Sequence, residues 1–331
     1  MSLLIWINRR RKQEVLTDTK MLLEGPDKPQ HLEIELSNLC NADCVFCGYQ
    51  YQERPKIQIS FSNFEKAIRE YVALGGGNLG LTPTVGDALI DKEIVKKVKF
   101  ARSFKEIGEI GITTNGILLT RQLYEELVDA GVSFIYLSMS GFDREEYRKV
   151  YRNDSYLRVT KNLEDIATSP SRPRCMVIIT IRTLHPFPWM KKDYKKFKKL
   201  NFPIARTYLY DSWSGRIKSK HLPGFMFVRP SPPKTTPCVQ LYTSTMVYSN
   251  GNLGACACRD LNANSELIVG NIQKNTIDEA WKNGALNKLR QRFIDGDLPD
   301  VCKDCCAYNP ITKQHALDWK FSNPPQKKKA A

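Results

Sequence analysis

Short apolar runs alternate with helical patterns along most of this 331-residue chain. Six runs predict strands, because their apolar residues recur at every second position or without interruption. The predicted strands are His31–Leu36, Asn78–Pro83, Ile107–Thr113, Val132–Ser138, Cys175–Arg182 and Ile204–Tyr210. The predicted helices between them include Asp91–Phe104, Thr120–Ala130, Asp143–Ala167 and Lys191–Leu200. This alternation predicts an α/β fold with parallel strands, and six units suit a partial (β/α)6 TIM-like barrel.

The pattern changes after the sixth strand. Prolines cluster between residues 216 and 237, which predicts a linker. Beyond it, Asn250-Gly251 predicts the turn of a hairpin, and a capped amphipathic helix begins near Thr276. The predicted divisions are an N-terminal extension at 1–30, the barrel at 31–215, the linker at 216–237, a small hairpin-plus-helix domain at 238–315 and a basic tail at 316–331, disordered over Pro324–Ala331.

The composition is that of a globular protein, with 42% hydrophobic and 26% charged residues. No apolar run approaches the roughly 18 residues of a membrane span. The apolar run Leu3–Ile7 precedes a basic cluster, which is the reverse of a signal peptide. We therefore expect a cytoplasmic protein without a transmembrane segment. Thiols stay reduced in that compartment, so the ten cysteines predict metal ligands or catalytic groups rather than disulfides.

Three cysteines lie in the loop after the first predicted strand. Cys40, Cys44 and Cys47 have the spacing C-x3-C-x2-C. Thiolates at this spacing can hold three irons of a [4Fe–4S] cluster, which leaves the fourth iron open to a substrate or cofactor. Zinc is the alternative, but structural zinc prefers four protein ligands, and the nearest histidine is His31 on the preceding strand.

This loop resembles the signature of the radical S-adenosylmethionine (SAM) superfamily, with Phe46 matching the aromatic residue before the third cysteine. The resemblance implies a partial six-stranded barrel with its chemistry at the C-terminal strand ends. In that family the reduced cluster cleaves SAM to methionine and a 5′-deoxyadenosyl radical, which abstracts hydrogen from a C–H bond. The resemblance therefore also implies a low-potential electron donor such as flavodoxin or ferredoxin.

The ends of the second and third predicted strands resemble SAM-binding segments of the family. Val85-Gly86-Asp87-Ala88 is similar to the Gly-Gly-Glu-Pro segment that holds the SAM amino group, although three of its four residues differ. Thr114 and Asn115 are similar to the Thr-Asn-Gly segment at the ribose. The resemblance implies that Gly86 and Asp87 bind SAM together with these two residues.

The fourth strand resembles the part of the family that holds the SAM carboxylate. Ser138 and Arg152 match the serine and arginine of that pattern, and an arginine fork suits a planar carboxylate. Ser140 replaces the usual aspartate, and Arg148 is a rival to Arg152. At the ends of the fifth and sixth strands, Arg182 and the segment 210–213 are candidates to face the substrate, with Asp211 as a catalytic candidate.

Six further cysteines lie near the C-terminus. The predicted hairpin folds Cys256 towards Cys238, and the following helix returns the chain to Cys302 and Cys305. This set resembles the auxiliary-cluster domain called SPASM, or its shorter twitch form. The resemblance implies one auxiliary [4Fe–4S] cluster held by these four thiolates. A treble-clef-like zinc site with the same ligands is the alternative.

The remaining cysteines leave the reaction open. Cys258 is an alternative ligand, a neutral neighbour or a thiol that donates hydrogen to a substrate radical, and the same donor role is considered for Cys306. A hydrogen donor would give epimerisation, whereas a fully ligated auxiliary cluster suits oxidation. Cys175 opens an apolar strand and is expected to be a small buried hydrophobic residue.

The substrate is predicted from what the chain lacks and from its charge. Only 30 residues precede the first strand, which is short for a peptide-binding extension, so we expect a sugar, an aminocyclitol or a nucleotide-linked substrate. Maturation of ribosomal peptides and RNA modification are the alternatives. The net charge of +15 suits an acidic electron donor or an anionic substrate, while no aromatic-interleaved basic motif predicts nucleic-acid binding. A non-enzymatic iron–sulfur or zinc protein that has lost SAM chemistry is the remaining hypothesis.

Overall fold

The computed structural model describes residues 14–256, 259–282 and 284–322. Cys258, the run Leu3–Ile7 and the predicted disordered tail lie outside the described residues. The strands are β1 His31–Ile34, β2 Gly77–Leu81, β3 Ile107–Thr114, β4 Phe134–Ser140, β5 Met176–Arg182, β6 Ile204–Thr207, β7 Leu209–Tyr210, β8 Phe227–Val228, β9 Ser244–Val247, β10 Asn252–Gly254 and β11 Ile268–Asn271.

Helices fill most of the intervals between the strands. They are α1 Thr19–Glu24, α2 Phe61–Ala73, α3 Ile94–Arg102, α4 Arg121–Ala130, α5 Arg144–Tyr151, α6 Tyr156–Ala167, α7 Tyr194–Lys199, α8 Gln240–Thr243, α9 Ile277–Lys282, α10 Gly284–Ile294, α11 Asp300–Lys303 and α12 Lys313–Ser322. Short 3-10 turns span Gly48–Tyr51, Ala88–Ile90, Arg172–Arg174, Pro188–Met190 and Ser219–His221. Within the described ranges, no helix is long and apolar enough to cross a bilayer.

The first six strands are parallel neighbours in the order of the sequence, which confirms the predicted partial βα barrel. In β1, Leu32 and Ile34 are fully buried in the hydrophobic core, whereas His31 and Glu33 line a cavity on the opposite face of the sheet. This two-residue alternation gives the sheet one apolar face beneath the helices and one polar face. Because the strands are parallel, their carboxyl ends meet at one edge of the sheet.

One predicted helix is interrupted. Asp143–Ala167 is predicted as one helical stretch, but the structure has two helices, α5 and α6, and Arg152 adopts a φ of 51° at the end of α5. The break leaves the carbonyl groups of Val150 and Tyr151 free to accept hydrogen bonds from the loop that carries the first three cysteines. A contact with a distant loop therefore decides where α5 ends.

The last predicted strand of the barrel is also shorter than expected. β6 ends at Thr207, and β7 pairs with β8 in a separate two-stranded sheet. The predicted linker therefore contains a strand, and its residues fold over the end of the barrel. Phe225 donates its backbone N–H to the carbonyl of Leu184 at 2.8 Å and so ties this small sheet to the loop after β5.

The C-terminal strands extend the barrel sheet. β9 pairs in parallel with β1, β10 pairs antiparallel with β9 through a turn at Gly251, and β11 adds a further antiparallel strand. The next helix begins with a reciprocal capping box, in which Glu279 N–H donates to Thr276 Oγ1 and Thr276 N–H donates to a Glu279 carboxylate oxygen. The hairpin and the cap agree with the sequence prediction, and the sheet pairing places Cys256 beside the barrel.

Candidate functional site

The first candidate site is a cavity of about 200 Å³ at the carboxyl ends of the barrel strands. It is lined by the three cysteines of the first loop and by residues from the ends of β2 to β5. Six of the predicted cofactor-binding residues line it: Phe46, Gly86, Asp87, Thr114, Asn115 and Ser138. The structure thus brings most of the predicted SAM site together around the predicted cluster loop.

The cysteine loop is held in place by backbone contacts. Asp43 N–H donates to the carbonyl of Tyr151 at 3.3 Å, and Val45 N–H donates to that of Val150 at 2.9 Å. On its other side, Asp87 N–H donates to the carbonyl of Leu39 at 2.7 Å. The helix end and the segment after β2 therefore fix the loop from two directions, so the spacing of the thiols is set by the fold.

The three thiols of this loop suit an iron–sulfur cluster. Burial, and then the proximity of Asp87, raises the pKa of Cys40 to about 12. Burial and the two neighbouring cysteines raise the pKa of Cys44, and burial raises that of Cys47. Because burial disfavours three thiolates, they need a cationic partner to stabilise them, and irons supply one. A cysteine donor set is also the set that holds iron–sulfur clusters.

Asp87 is the most strongly perturbed carboxylate among the described residues of this cavity. Its oxygens accept hydrogen bonds from Thr114 Oγ1 at 3.0 Å, from Asn115 N–H at 2.7 Å and from Leu89 N–H at 3.0 Å. Burial nevertheless raises the pKa of Asp87 to about 6. A buried carboxylate in this setting gains from a cationic ligand, which suits an ammonium group.

The third strand end links this carboxylate to the cluster loop. The Asn115 side-chain amide donates to Asn41 Oδ1 at 2.7 Å and reaches Cys40 Sγ at 3.7 Å. Gly86 has a φ of 131°, and a Cβ there would lie 2.5 Å from the carbonyl oxygen of Ser37. Glycine is therefore required where the segment after β2 passes the start of the loop.

Arg152 and Arg182 are both candidates for the arginine that is predicted to bind the SAM carboxylate. The structure places Arg152 outside the residues that line the cavity, with its guanidinium 3.2 Å from the Asp43 carboxylate. Arg182, at the end of β5, lines the cavity and donates from Nε to Ser138 Oγ at 2.7 Å. Its guanidinium carbon also lies 4.3 Å from the centroid of the Phe46 ring. Alternation along β5 was the sequence signal that directs Arg182 towards the cavity.

A second cavity brings together the four C-terminal cysteines. Cys238, Cys256, Cys302 and Cys305 line a space of about 30 Å³ together with Arg259. Burial raises the pKa of Cys302 to about 12 and also raises that of Cys305, which the charge of Arg259 partly offsets. The donor set again fits an iron–sulfur cluster, here with four thiols from three separate segments.

Two other cysteines lie away from this cavity lining. Cys306 is buried beside the barrel, where its sulfur accepts from Ser212 N–H at 3.1 Å and its thiol donates to Asp211 Oδ2 at 3.4 Å. Cys175 is only 1% exposed, and its carbonyl accepts from the Tyr124 hydroxyl.

Asp211 does not line the first cavity but lies between the two cysteine sites. It forms a salt bridge with Arg259, and its Oδ1 accepts from Trp213 N–H at 2.7 Å. Trp213 lines the first cavity and donates from Nε1 to the carbonyl of Phe46 at 2.9 Å. The Arg259 guanidinium carbon is 5.1 Å from the Trp213 ring centroid. Sequence reasoning missed Arg259, since nothing in its local sequence distinguishes it from a surface arginine.

The polar face of the barrel sheet forms a third and larger cavity, of about 650 Å³. Thr113 lines both this cavity and the first one, and Thr82 Oγ1 donates to Thr113 Oγ1 at 3.1 Å. Its lining includes the apolar residues Leu79, Phe134 and Val239 and these polar or amphipathic ones: Gln30, His31, Glu33, Asn78, Glu109, Tyr136, Gln240 and His315. Sequence reasoning missed this cavity, although the alternation of β1 exposes His31 and Glu33 on one face.

Comparison with known proteins identifies the class that this arrangement defines, an iron–sulfur enzyme on a partial βα barrel. Residues 34–186 match the family model of the radical SAM superfamily, and residues 238–306 match SPASM, an iron–sulfur cluster-binding domain. The chain therefore carries a radical SAM domain followed by a SPASM domain, as the resemblances of its two cysteine sets predicted. Its cofactors are SAM, the [4Fe–4S] cluster that binds it, and auxiliary iron–sulfur chemistry in the SPASM domain.

Curated relatives match part of the chain. It is 30% identical over 160 residues to a GTP 3′,8-cyclase of Chlorobaculum tepidum, and this match covers 48% of this chain and 46% of that protein. It is 35% identical over 138 residues to the molybdenum cofactor biosynthesis protein moc-5 of Caenorhabditis elegans, and this match covers 40% of this chain and 22% of that protein. The chain thus spans less than half the length of these relatives.

Solved structures share the fold at low identity. BtrN in complex with AdoMet and 2-DOIA superposes with a TM-score of 0.58 at 15% identity, covering 84% of this chain and 92% of BtrN. Streptococcus suis SuiB bound to its precursor peptide SuiA superposes with a TM-score of 0.57, also at 15% identity, covering 88% of this chain and 74% of SuiB. These two likenesses confirm the fold class.

Proposed function

We propose that this enzyme uses SAM to oxidise a C–H bond of a small, polar, hydroxyl- or amino-bearing substrate. The observation that carries the proposal is the order of three adjoining spaces: a polar cavity within the barrel, the predicted SAM cavity, and a four-cysteine site reached through Trp213 and Arg259. The substrate would lose a hydrogen atom to the 5′-deoxyadenosyl group, and then one electron and one proton. The net change is a two-electron oxidation.

We assign the cofactor-binding roles from the first cavity. Cys40, Cys44 and Cys47 would hold the catalytic cluster, and a SAM bound to it would supply the 5′-deoxyadenosyl radical. Asp87 would accept a hydrogen bond from the SAM ammonium group, because it is the buried carboxylate of this cavity. Arg182, held by Ser138, would bind the SAM carboxylate in place of Arg152.

The substrate class follows from the polar cavity. Its wall carries the carboxylates of Glu33 and Glu109 and the imidazoles of His31 and His315. Burial lowers the pKa of both histidines, which keeps them neutral near pH 7. A wall with carboxylates and neutral imidazoles suits hydroxyl and amino groups better than phosphates. Aminocyclitols and sugars are therefore preferred over nucleotides.

The auxiliary site favours oxidation over epimerisation. Cys238, Cys256, Cys302 and Cys305 would hold one [4Fe–4S] cluster, and a cluster with four protein ligands would supply an electron acceptor. Trp213 and Arg259 lie between that site and the SAM cavity, so the chain provides a packed route between them. Such an enzyme would work in the cytoplasm with an acidic flavodoxin or ferredoxin as electron donor.

A second candidate function comes from the curated relatives. The proteins most similar in sequence include several named GTP 3′,8-cyclase, at 28–31% identity over 136–160 residues. The same barrel would in that case bind a purine nucleoside triphosphate and form a new ring without net oxidation. The carboxylate-lined cavity argues against a triphosphate, so the two candidates make opposite predictions about GTP.

Anaerobic reconstitution tests the proposal directly. About eight irons per chain, from two four-iron clusters, are expected, and reduction in the presence of SAM should release 5′-deoxyadenosine. Incubation with a panel of aminocyclitols and sugars should give a product lighter by two hydrogens. GTP is included as a separate substrate, and a cyclised product of unchanged mass from GTP would support the second candidate instead.

Two sets of variants separate the parts of the proposal. Replacing Cys40, Cys44 and Cys47 by alanine should abolish SAM cleavage, and about four irons should remain. Replacing Cys302 and Cys305 by alanine should keep SAM cleavage but abolish the oxidised product. Deuterium from the solvent in a product of unchanged mass would instead indicate epimerisation, and Cys258→Ala would identify the donor.

A further inference from the structure

The segment from residue 184 to residue 229 exposes an unusual amount of apolar surface. Among the described residues, ten large hydrophobic side chains are exposed, and six of them belong to this segment. We call these six residues the apolar rim: Phe187, Trp189, Met190, Leu209, Phe225 and Phe227. Met190 is 78% exposed and Phe187 is 54% exposed. A cluster of this kind on a protein surface marks contact with a partner or a membrane.

The rim contains two aromatic pairs that a backbone contact ties together. The rings of Phe187 and Trp189 make an edge contact with centroids 5.3 Å apart, and those of Phe225 and Phe227 do so at 5.1 Å. The backbone hydrogen bond from Phe225 N–H to the carbonyl of Leu184 joins the two pairs. Because the first pair lies in the loop after β5, the rim lies at the same edge of the sheet as the predicted SAM cavity.

The surroundings of the rim are strongly basic. Residues 186–229 contain eleven Lys and Arg but only two acidic residues, Asp193 and Asp211. Both carboxylates bind partners within the protein, since Asp193 accepts a hydrogen bond from the Tyr156 hydroxyl at 2.7 Å and Asp211 forms a salt bridge with Arg259. Exposed basic side chains of this segment are Lys192, Lys195, Lys196, Lys198, Lys199, Arg206, Arg216, Lys218, Lys220 and Arg229.

We propose that this face docks on an anionic lipid surface, with the apolar rim among the lipid headgroups and the surrounding Lys and Arg on the lipid phosphates. Trp189 and Met190 lie on an exposed 3-10 turn that Phe187 precedes and two lysines follow, an arrangement typical of contact with the membrane interface. A second copy of the chain would oppose two basic surfaces, which disfavours self-association. An acidic protein is the competing occupant, and the test below distinguishes it from lipid. The lipid surface uses both the apolar rim and the surrounding basic charge.

Co-sedimentation with vesicles tests this docking. The full-length, cluster-loaded protein is mixed with vesicles of pure phosphatidylcholine or with vesicles of equal parts phosphatidylcholine and phosphatidylglycerol. We expect sedimentation with the anionic vesicles only, with a large loss of binding at high salt. Trp189→Ser with Met190→Ser, and separately Lys195→Glu with Lys198→Glu, should each weaken binding at least tenfold while SAM cleavage stays at its original rate.

Matched controls use exposed residues elsewhere. Leu157→Ser with Leu317→Ser, and Lys274→Glu with Lys288→Glu, change the same residue types outside the rim and should leave binding unchanged. Three results would overturn the proposal. The first is equal binding to both vesicle types, and the second is binding that the rim variants do not weaken. The third is no vesicle binding, and a rim-dependent dimer or a rim-dependent complex with an acidic flavodoxin would then identify the true occupant.

Discussion

At the scale of single residues, Asp87 gives the site its clearest pH dependence. Burial raises its pKa to about 6, above the ordinary carboxyl value, so the carboxyl group is protonated below that pH and ionised above it. At Asp87, the folded protein binds more protons than the unfolded protein does. The contribution of Asp87 to the free energy of unfolding therefore falls as pH rises through 6. The ionised form is the one that an ammonium ligand needs.

We therefore predict that SAM binds more tightly as pH rises through about 6. Calorimetric titration of SAM into cluster-loaded protein between about pH 5.5 and pH 8 measures this, and the affinity at the acid end should be roughly fourfold lower than at the basic end. Asp87→Asn should bind SAM weakly at every pH. A steep pH profile in that variant would assign the titration to another group.

Gly86 carries a second prediction at this scale. With a φ of 131° and a Cβ position 2.5 Å from the Ser37 carbonyl oxygen, Gly86→Ala should lower the free energy of unfolding by about 3 kcal/mol. Gly284, at the start of α10, has no atom within 4 Å of its Cβ position, so Gly284→Ala should be neutral or stabilise by about 0.5 kcal/mol. Urea unfolding followed by tryptophan fluorescence compares them, and equal effects would contradict the steric argument.

At the scale of elements, local patterns predicted the repeated units but not every boundary. β3 and α4 follow the predicted bounds to within one residue, because period-two alternation and helical spacing are local properties. The break between α5 and α6 falls at the turn-type run Asn153-Asp154-Ser155, which the prediction of one helical stretch passed over, and the cysteine loop binds the carbonyl groups at the end of α5. The end of β6 is likewise fixed by pairing of β7 with β8.

The packing of α3 depends on a buried charge pair that the sequence did not reveal. Lys97 and Asp91 are 1% and 2% exposed, and Lys97 Nζ donates to Asp91 and to the carbonyl of Ile59. Asp91→Ala would leave a buried ammonium group without its counter-ion and should cost about 3–5 kcal/mol of unfolding free energy. Glu93→Ala breaks the exposed pair with Lys96 and should cost less than about 1 kcal/mol. Urea unfolding of the two variants measures the difference, and similar losses would contradict this account.

At the scale of the whole molecule, the sequence predicted the first cysteine site because the spacing of its three thiols is local. It predicted the second because a hairpin turn and a capped helix return separate segments of the chain. It also predicted that Ser138 and Asn115 lie beside the first cysteine loop, since parallel strands bring their carboxyl ends together. The position of Arg182, rather than Arg152, at this cavity and the contacts of Asp211 depend on side-chain directions and on residues far apart in the chain. Such contacts leave no trace in a single sequence.

The two cysteine sites are coupled through one charge pair, and this gives the last prediction. The Arg259 guanidinium lies in the wall of the auxiliary site and pairs with Asp211. A nearby cation stabilises a cluster that has gained an electron, so Arg259→Gln should lower the auxiliary potential by about 50 mV, which corresponds to about 1 kcal/mol of screened charge interaction. Asp211→Asn should raise the same potential, because it removes the opposing charge.

Redox titration followed by electron paramagnetic resonance distinguishes this electrostatic role from a purely structural one. Arg259→Lys keeps the charge and should stay near the original potential, whereas a packing role would make the lysine and glutamine variants alike. The potential of the SAM-binding cluster should change little in all three variants, because Arg182 is the arginine that lines its cavity. Shifts of the same sign in Arg259→Gln and Asp211→Asn would show that the pair acts through structure, and the route from Trp213 to the auxiliary site would then lose its electrostatic support.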